Sequence, residues 1–388
     1  MATIKSAGAA HGTPAAAGSE RGVVDVAIAG ATGRVGRRVL ELIDARRALL
    51  QRSGVRLRIV AAANSRRLLV APEGLAAGSI AQALPAAVAS TDPLALTRSP
   101  LRPDILLDCT ASADIAAQYP RWLAAGIDVV TPNKLASSAD RPLAHAVAAA
   151  QAAAGTHLYD STTVGAQLPL LATLRDLHRA GDRVERVEAV LSGTLSYVLG
   201  RLQQGCALST AVSEAVQNGY AEPNPARDLS GEDAARKLVI LLRALGHDLE
   251  LRDVDCVPLV DADLLDEPDP ALFLARLESA DAGWRARAAV ADVRHERWVY
   301  RASYENGQAR IAPERVAQTH SFARLAPCEN ALILHSEFYK AAPLTVAGPG
   351  AGIDLTAAGV LADLVAAAQR RAASPLYASA SATTCRTA

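Results

Sequence analysis

Charge of one sign is missing from this chain. Its 388 residues carry 40 Lys and Arg against 40 Asp and Glu, a formal net charge of zero. A balanced chain offers no electrostatic footprint for nucleic acid or an anionic membrane, and no basic stripe with interleaved aromatics compensates, so both classes of partner are excluded. Cysteine is scarce: Cys109, Cys206, Cys256, Cys328 and Cys385 stand apart without CxxC pairing. That spacing argues against a structural zinc site and fits reduced thiols in a cytosolic protein. No apolar run approaches the length of a membrane span. Residues 1–22, rich in Ala, Gly and Ser, lack the apolar core of a secretory signal. They and residues 374–388 are expected to be disordered tails, and the location is expected to be cytoplasmic. Half of the residues are hydrophobic, which at this length is enough to bury a large core in two domains.

What is present begins with VVDVAIAG, Val23 to Gly30, a continuous apolar run ending in glycine, as a buried parallel strand reads. GATGRVG and the helical RRVLELIDARRALL follow. Strand, glycine turn and helix in that order point to dinucleotide binding: the glycines admit a pyrophosphate, whose charge then sits at the positive end of the helix. Gly30, Gly33 and Gly36, with Thr32, Arg34 and Val35, are the candidate cradle. A tight turn with close helix packing is the plainer reading of the same glycines. The next strand, VRLRIVAAA, ends at Asn64, Ser65 and Arg66 without the acid that an NAD-specific site places against the ribose hydroxyls. Polar groups and arginine there suit a 2′-phosphate, so NADP is expected in preference to NAD. Residues 68–99 are alanine-rich and read as helix and loop. DILLDCTAS is a further strand, with Thr110 and Ala111 at its carboxyl end, where ligands bind in open α/β sheets. IDVVTPN is another, followed by Lys134, which points toward the same crevice. After a helix from Pro142 to Ala154, THLYDSTTVGAQLPLLATL reads as strand, glycine turn and helix.

An alternating strand, DRVERVEAV, then leads to Ser192, Gly193 and Thr194 and a helix. That turn either holds a polar substrate group through backbone N–H groups or is an ordinary helix cap. Further on, RWVYRASYE and ARIAPERV flank Asn306-Gly307, a hairpin signal, and ALILHSEFY is one more strand. Gly348, Gly350 and Gly352 precede a helix expected to begin near Thr356. This second glycine turn is expected to close over the nicotinamide half of the cofactor. The fold class is α/β, with a doubly wound Rossmann-type cofactor domain and a second α+β substrate-binding and dimerisation domain. The expected divisions are 23–160 for the first, 161–345 for the second, and 346–373 for a segment returning to the first.

The stretch around which the rest is organised is NGYAEPNPARDLSGEDAARKLVILLRAL, Asn218 to Leu245. Its first half is a loop stiffened by proline, and Ser230 with Asp233 has the spacing of a capping box that opens a helix. From Ala234 the helix is apolar nearly all round and should be buried. Yet Asp233 and Lys237 share one side of it, and Glu222 and Asp228 arrive from the loop. A capped helix with one ion pair accounts for them. So does a polar pocket in which acids hold Lys237 charged, ready to give a proton to a bound substrate.

Several segments together resemble the homoserine dehydrogenase family: ANSRRLL, LLDCTAS, DVVTPNK, VGAQLP, LSGTLSYVLG, GYAEPNPARDLSGEDAARK and GPGAGIDLTAAGV. The similarity runs from about Val24 to Ala372 and is strongest to the C-terminal half of the bifunctional aspartokinase–homoserine dehydrogenases. It implies NADPH- or NADH-dependent reduction of L-aspartate 4-semialdehyde to L-homoserine, in threonine and methionine biosynthesis, by a homodimer. By the resemblance Lys237 is the acid–base residue, Glu222 and Asp233 hold the substrate amino group and hydroxyl, and Lys134 assists near the nicotinamide. Gly193, Thr194, Tyr220 and Asp228 complete the substrate site, and Gly352 and Thr356 the cofactor site. A sodium-type cation would sit on the main-chain carbonyls of Val164, Ala166 and Leu168. This chain departs from the family at Asn224, where the motif reads aspartate, at Gln167, where it reads glycine, and in one residue inserted at Ser161–Thr163. The glycine turn is GxxGxxG rather than the GxGxxG-like form. No aspartokinase or regulatory domain is visible, so a monofunctional enzyme without threonine feedback is expected. GATGRVG alone also resembles dihydrodipicolinate reductase and semialdehyde dehydrogenases. The latter need a cysteine nucleophile, and Cys109 lies too near the phosphate loop to serve. A non-catalytic NADP-binding sensor or partner subunit is the alternative from outside the enzymes.

Overall fold

The computed structural model of the chain describes residues 22–97 and 101–373. Apart from Gly22, the expected tails and Cys385 fall outside them.

Two sheets organise the molecule. The first has the order β4-β3-β2-β1-β5-β6-β7, formed by β1 (Val23–Ala29), β2 (Arg56–Ala63), β3 (Arg67–Leu75), β4 (Val88–Ala89), β5 (Ile105–Asp108), β6 (Asp128–Val130) and β7 (Leu158–Tyr159). From β2 through β1 to β7 the neighbours are parallel. Val24, Val26, Ile28, Ile105, Leu106 and Leu107 are fully buried, as strands covered on both faces require. β1 lies between β2 and β5, so the crevice where strand order reverses opens beside Gly30.

The alanine-rich stretch expected as helix and loop corrects here to include β3 and β4. Asn64 explains why: its Oδ1 accepts the amides of both Arg66 and Arg67 at 2.9 Å, closing a turn that folds β3 back antiparallel on β2. Short helical pieces follow within the same stretch, at Ile80–Ala83 and Pro93–Thr97.

Six longer helices and one short one matter for the site or its surroundings: α1 (Arg34–Ala45), α2 (Lys134–Ser137), α3 (Arg141–Ala154), α4 (Leu170–Arg179), α5 (Gly193–Gln203), α6 (Glu232–Ala244) and α7 (Ile353–Ala373). The second sheet has the order β13-β12-β8-β10-β11-β9, from β8 (Val184–Val190), β9 (Val254–Cys256), β10 (Glu296–Glu305), β11 (Gln308–Ala317), β12 (Glu329–Ser336) and β13 (Leu344–Pro349). Asn306 and Gly307, with φ of +51° and +80°, turn β10 into β11. α5 and α6 share one apolar core with this sheet, in which Leu238, Val239, Leu241 and Leu242 of α6 meet Leu195, Leu199 and Ile311. Helices across 262–293, which the sequence reading passed over, pack Phe273, Leu277 and Trp284 into the same core.

α7 begins at Ile353 rather than near Thr356 and returns to the first sheet, where Ala357, Val360, Leu361 and Leu364 pack with Val26, Ile28 and Val39. Arg370 and Arg371 both donate to Asp128, which is fully buried. Asp363 accepts the Ser161 amide at 3.1 Å and its hydroxyl at 2.6 Å, yet burial, with Asp160 nearby, pushes its carboxyl up to about 6. A raised acid holds its proton more tightly in the folded chain. Its stabilising contribution is therefore complete below the unfolded value of ~3.9 and is lost as pH rises through the folded value. Asp363→Asn should flatten the thermal midpoint between about pH 4 and pH 6; an unchanged slope across that window would contradict the assignment.

Candidate active site

The site grows from two strand ends. Gly30, at φ +77°, closes β1, and a Cβ there would lie 2.8 Å from the Cys109 carbonyl beyond β5. A Cβ on Gly36 would lie 2.2 Å from the Gly30 carbonyl. Both contacts are with backbone, so neither can relax. The turn is thereby held tight against the start of α1; Ala31 N donates to Ala63 O and Gly33 N to Gly30 O, both at 3.0 Å, and the first amides of α1 are left for an anion. A cavity of about 340 Å³ continues from it, lined by Gly30, Asn64, Ser65, Thr110 and Ala111 among others. No acid caps the β2 end. Asp92, which the sequence reading did not single out, also lines this cavity, but its Oδ1 already accepts the Leu94 amide at 2.9 Å. Arg66, which follows the cavity-lining Ser65, is exposed, its amide held by Asn64.

Thr110 and Ala111 also line a second cavity, of about 430 Å³, so the two form one groove. Its other walls are Asn133 and Lys134 at the start of α2, Glu222 and Asp228 from the loop, and Glu232, Asp233 and Arg236 of α6. Asn133 sets Lys134 in place: its Oδ1 accepts the Leu135 amide at 3.1 Å, while its Nδ2 donates to Ser112 O at 3.0 Å and to Asp108 at 3.2 Å. Asp108 is itself buried and accepts the Tyr119 hydroxyl at 2.6 Å.

One carboxylate bridges two ammonium groups. Asp233 Oδ1 accepts from Lys134 Nζ, and its Oδ2 lies 2.8 Å from Lys237 Nζ, which also donates to Leu191 O at 2.9 Å. Burial alone would raise the Asp233 carboxyl, but the charges of Lys237 and Lys134 hold it well below the usual carboxylate range. Burial and the neighbouring charge of Lys237 push the Lys134 ammonium down, and Asp233 only partly offsets them. Lys237 stands behind Asp233 rather than on the cavity wall, its side chain 16% exposed.

The capping box expected at Ser230 and Asp233 does not form. Gly231, at φ +77°, precedes the helix, and Ser230 Oγ accepts only the Glu232 amide. Asp233 is drawn away by the two lysines. Ser192, by contrast, is an ordinary cap, its Oγ accepting the Leu195 amide. Thr194 Oγ1 donates to Tyr220 O at 2.6 Å and lies 3.2 Å from Asp228, whose other oxygen accepts the Glu222 amide at 2.9 Å. These residues thus fasten the Glu222 loop. The Glu222 carboxylate is left exposed, 3.9 Å from Arg227. Gly193, Tyr220, Gly352 and Thr356 line neither cavity. The last two open α7, whose Asp354 takes Arg38 of α1 at 2.6 Å.

The turn expected to hold a cation keeps oxygen ligands free. Val164 and Ala166 are buried, and no donor among the described residues reaches their carbonyls, whereas Leu168 O accepts the Leu170 amide at 2.8 Å. Gly165 and Ala166 have φ of +76° and +52°, and Gln167 is exposed, so its side chain does not fill the turn. Buried, undonated carbonyls fit a hard monovalent cation.

The profile described as homoserine dehydrogenase, NAD binding domain, matches residues 32–160, and the one described as homoserine dehydrogenase matches residues 169–365, half of the chain. A homoserine dehydrogenase from Emericella nidulans is 37% identical over 278 residues, covering 69% of this chain and 76% of the relative. This chain belongs to the homoserine dehydrogenase family. A bifunctional aspartokinase/homoserine dehydrogenase from Zea mays is 39% identical over 263 residues, but the match spans 67% of this chain and 29% of that protein. A hyperthermophilic archaeal homoserine dehydrogenase mutant, solved in complex with NADPH, has the same fold, with a TM-score of 0.69 at 22% identity, over 90% of this chain and 98% of that one.

Within this homoserine dehydrogenase fold, the sequence reading missed one compositional signal. Of 40 Lys and Arg, only Lys5, Lys134, Lys237 and Lys340 are lysine. Nearly all the positive charge elsewhere is carried by arginine. A group that must release a proton cannot be arginine, which stays charged in proteins. Two of those lysines meet on Asp233.

Proposed function

We propose that this chain reduces L-aspartate 4-semialdehyde to L-homoserine with NADPH. The observation that carries the reading is the Lys134–Asp233–Lys237 array at the end of a groove that starts at the glycine turn. When bound, the reduced nicotinamide supplies a hydride. Gly30, Gly33 and Gly36 would hold the pyrophosphate, with Thr110 and Ala111 along the groove. The aldehyde carbon gains the hydride, and the oxygen, becoming an alkoxide, takes a proton from Lys237 as the Asp233 contact opens. Lys237 is then neutral and regains its proton from solvent. Glu222, exposed and only loosely paired with Arg227 at 3.9 Å, suits the substrate ammonium. Lys134 places a second positive charge beside the developing alkoxide.

The carbonyls of Val164, Ala166 and Leu168 would hold a sodium-type cation. A homodimer in the cytoplasm completes the reading. Exposed Phe338, in the connection between β12 and β13, leaves apolar surface for another copy to cover, and the free thiols of Cys109, Cys206, Cys256 and Cys328 suit a reducing compartment.

The test is NADPH oxidation with the semialdehyde, followed by the reverse reaction with L-homoserine. Saturable turnover in both directions is expected. Tight NADPH binding with no turnover would favour the sensor reading. Arg66→Ala should weaken NADPH about tenfold while leaving NADH within about twofold, since a charge-assisted contact to phosphate contributes ~1.5–3 kcal/mol. Equal losses for the two cofactors would remove Arg66 from the phosphate site.

A further inference from the structure

We propose that Arg243 is a positioning residue, which straps the helix of Lys134 to the helix of Lys237 and so sets the array on Asp233. The inference rests on the reaction proposed above and adds a residue that touches neither substrate nor cofactor.

α2 is four residues long, too short to be stable by its own hydrogen bonds. Asn133 holds its first end. At its last residue, Ser137, the hydroxyl donates to Asp160 at 2.6 Å and the carbonyl accepts from Arg243 Nη1 at 3.0 Å. Arg243 stands six positions after Lys237 on α6, about 9 Å along the axis. Each of the two helices therefore carries one lysine of the Asp233 array and one end of the strap. Arg243 Nε donates to Leu249 O at 2.9 Å, which fixes the guanidinium plane.

The strap is costly in isolation. Arg243 Nη2 is buried without a partner, and no carboxylate lies within ion-pair distance among the described residues. An unsatisfied buried donor costs ~1–3 kcal/mol, so an apolar side chain would serve packing better. A cavity of about 680 Å³ opens beside it, lined by Ser137, Val147, Arg175, Ile240 and Arg243 among others. Side chains do not fill the space the strap spans, so close packing cannot replace it there. Arg141 makes a parallel tie, its amide to Glu250 Oε1 at 2.7 Å and its Nη1 to Oε2 at 2.8 Å. That tie joins α3, not α2, to the second sheet's side of the molecule.

Arg243→Met keeps the volume and removes the donors; Arg243→Lys keeps a charge that can reach one carbonyl. With Arg243→Met, kcat should fall about ten- to a hundredfold, the scale of a misplaced reacting group. KM for the semialdehyde and the affinity for NADPH should stay within about threefold, and Arg243→Lys should recover part of the loss. An independent readout comes from [13Cε]lysine NMR, in which Lys134 titrates below an ordinary lysine in the native chain. In Arg243→Met its titration should rise toward ~10.4 as α2 loosens and Lys134 is released first from burial and then from the charge of Lys237, while Lys340 stays unmoved. Native kcat in Arg243→Met, or an unmoved Lys134 titration, would overturn the strap. If the native chain shows no turnover, the reaction fails instead, and the Lys134 titration alone still decides the strap.

Discussion

Lys237→Met is expected to lower turnover by about 10²- to 10⁴-fold, the range of a positioned general acid, while NADPH binds as to the native chain. The native ammonium is held at 2.8 Å by Asp233 and at 2.9 Å by Leu191 O, so it is aimed at the groove from behind Asp233. Methionine fills the same volume without a proton to give. Lys237→Arg should be nearly as damaging: guanidinium keeps the charge, and its proton is not released at any pH the fold survives. Measuring kcat and NADPH affinity for both variants separates lost chemistry from lost binding. A Lys237→Arg variant with native turnover would show that only charge is needed there.

Gly231→Ala is expected to cost about 2–5 kcal/mol, the sum of left-handed backbone strain and overpacking. Its φ is +77°, and an added Cβ would lie 1.8 Å from the Tyr300 hydroxyl. Tyr300 is 1% exposed and donates to Val257 O at 2.7 Å, so its ring has nowhere to swing. Gly231 immediately precedes α6 and stands two residues before Asp233, so the same change should also disturb the lysine array. The thermal midpoint should drop on the order of 10 °C, with a fall in kcat. Tyr300→Phe in the same chain removes the clashing oxygen, so the pair should lose less than the two single changes summed. Additive losses would mean that strain, not the clash, dominates.

The contrast between these two positions says what could be read from sequence. Lys237 and Asp233 were legible because their spacing is local and an apolar helix surrounds them. Gly231 was not, because its constraint comes from Tyr300, 69 positions away on β10. The same difference misled the capping-box reading: Ser230 and Asp233 have the right spacing, but Lys134 arrives from the other sheet and claims the carboxylate. The strands around Gly30 were legible from apolar runs and a glycine turn. β3 did not, because an Asn64 side chain, rather than a glycine pair, makes its turn. Gly352 and Thr356, placed by resemblance at the cofactor, lie at the start of a helix that packs on α1. The bias of the chain toward arginine was a further signal, missed in the sequence: two of its four lysines meet on Asp233.

The most direct measurement is a crystal structure of the native chain with NADPH and L-homoserine bound together. The account predicts the pyrophosphate at Gly30–Gly36, the nicotinamide beside Thr110 and Ala111, and the homoserine hydroxyl within hydrogen-bond reach of Lys237 Nζ. Homoserine bound outside the Lys134–Asp233–Lys237 groove, or with its hydroxyl turned from both lysines, would contradict it.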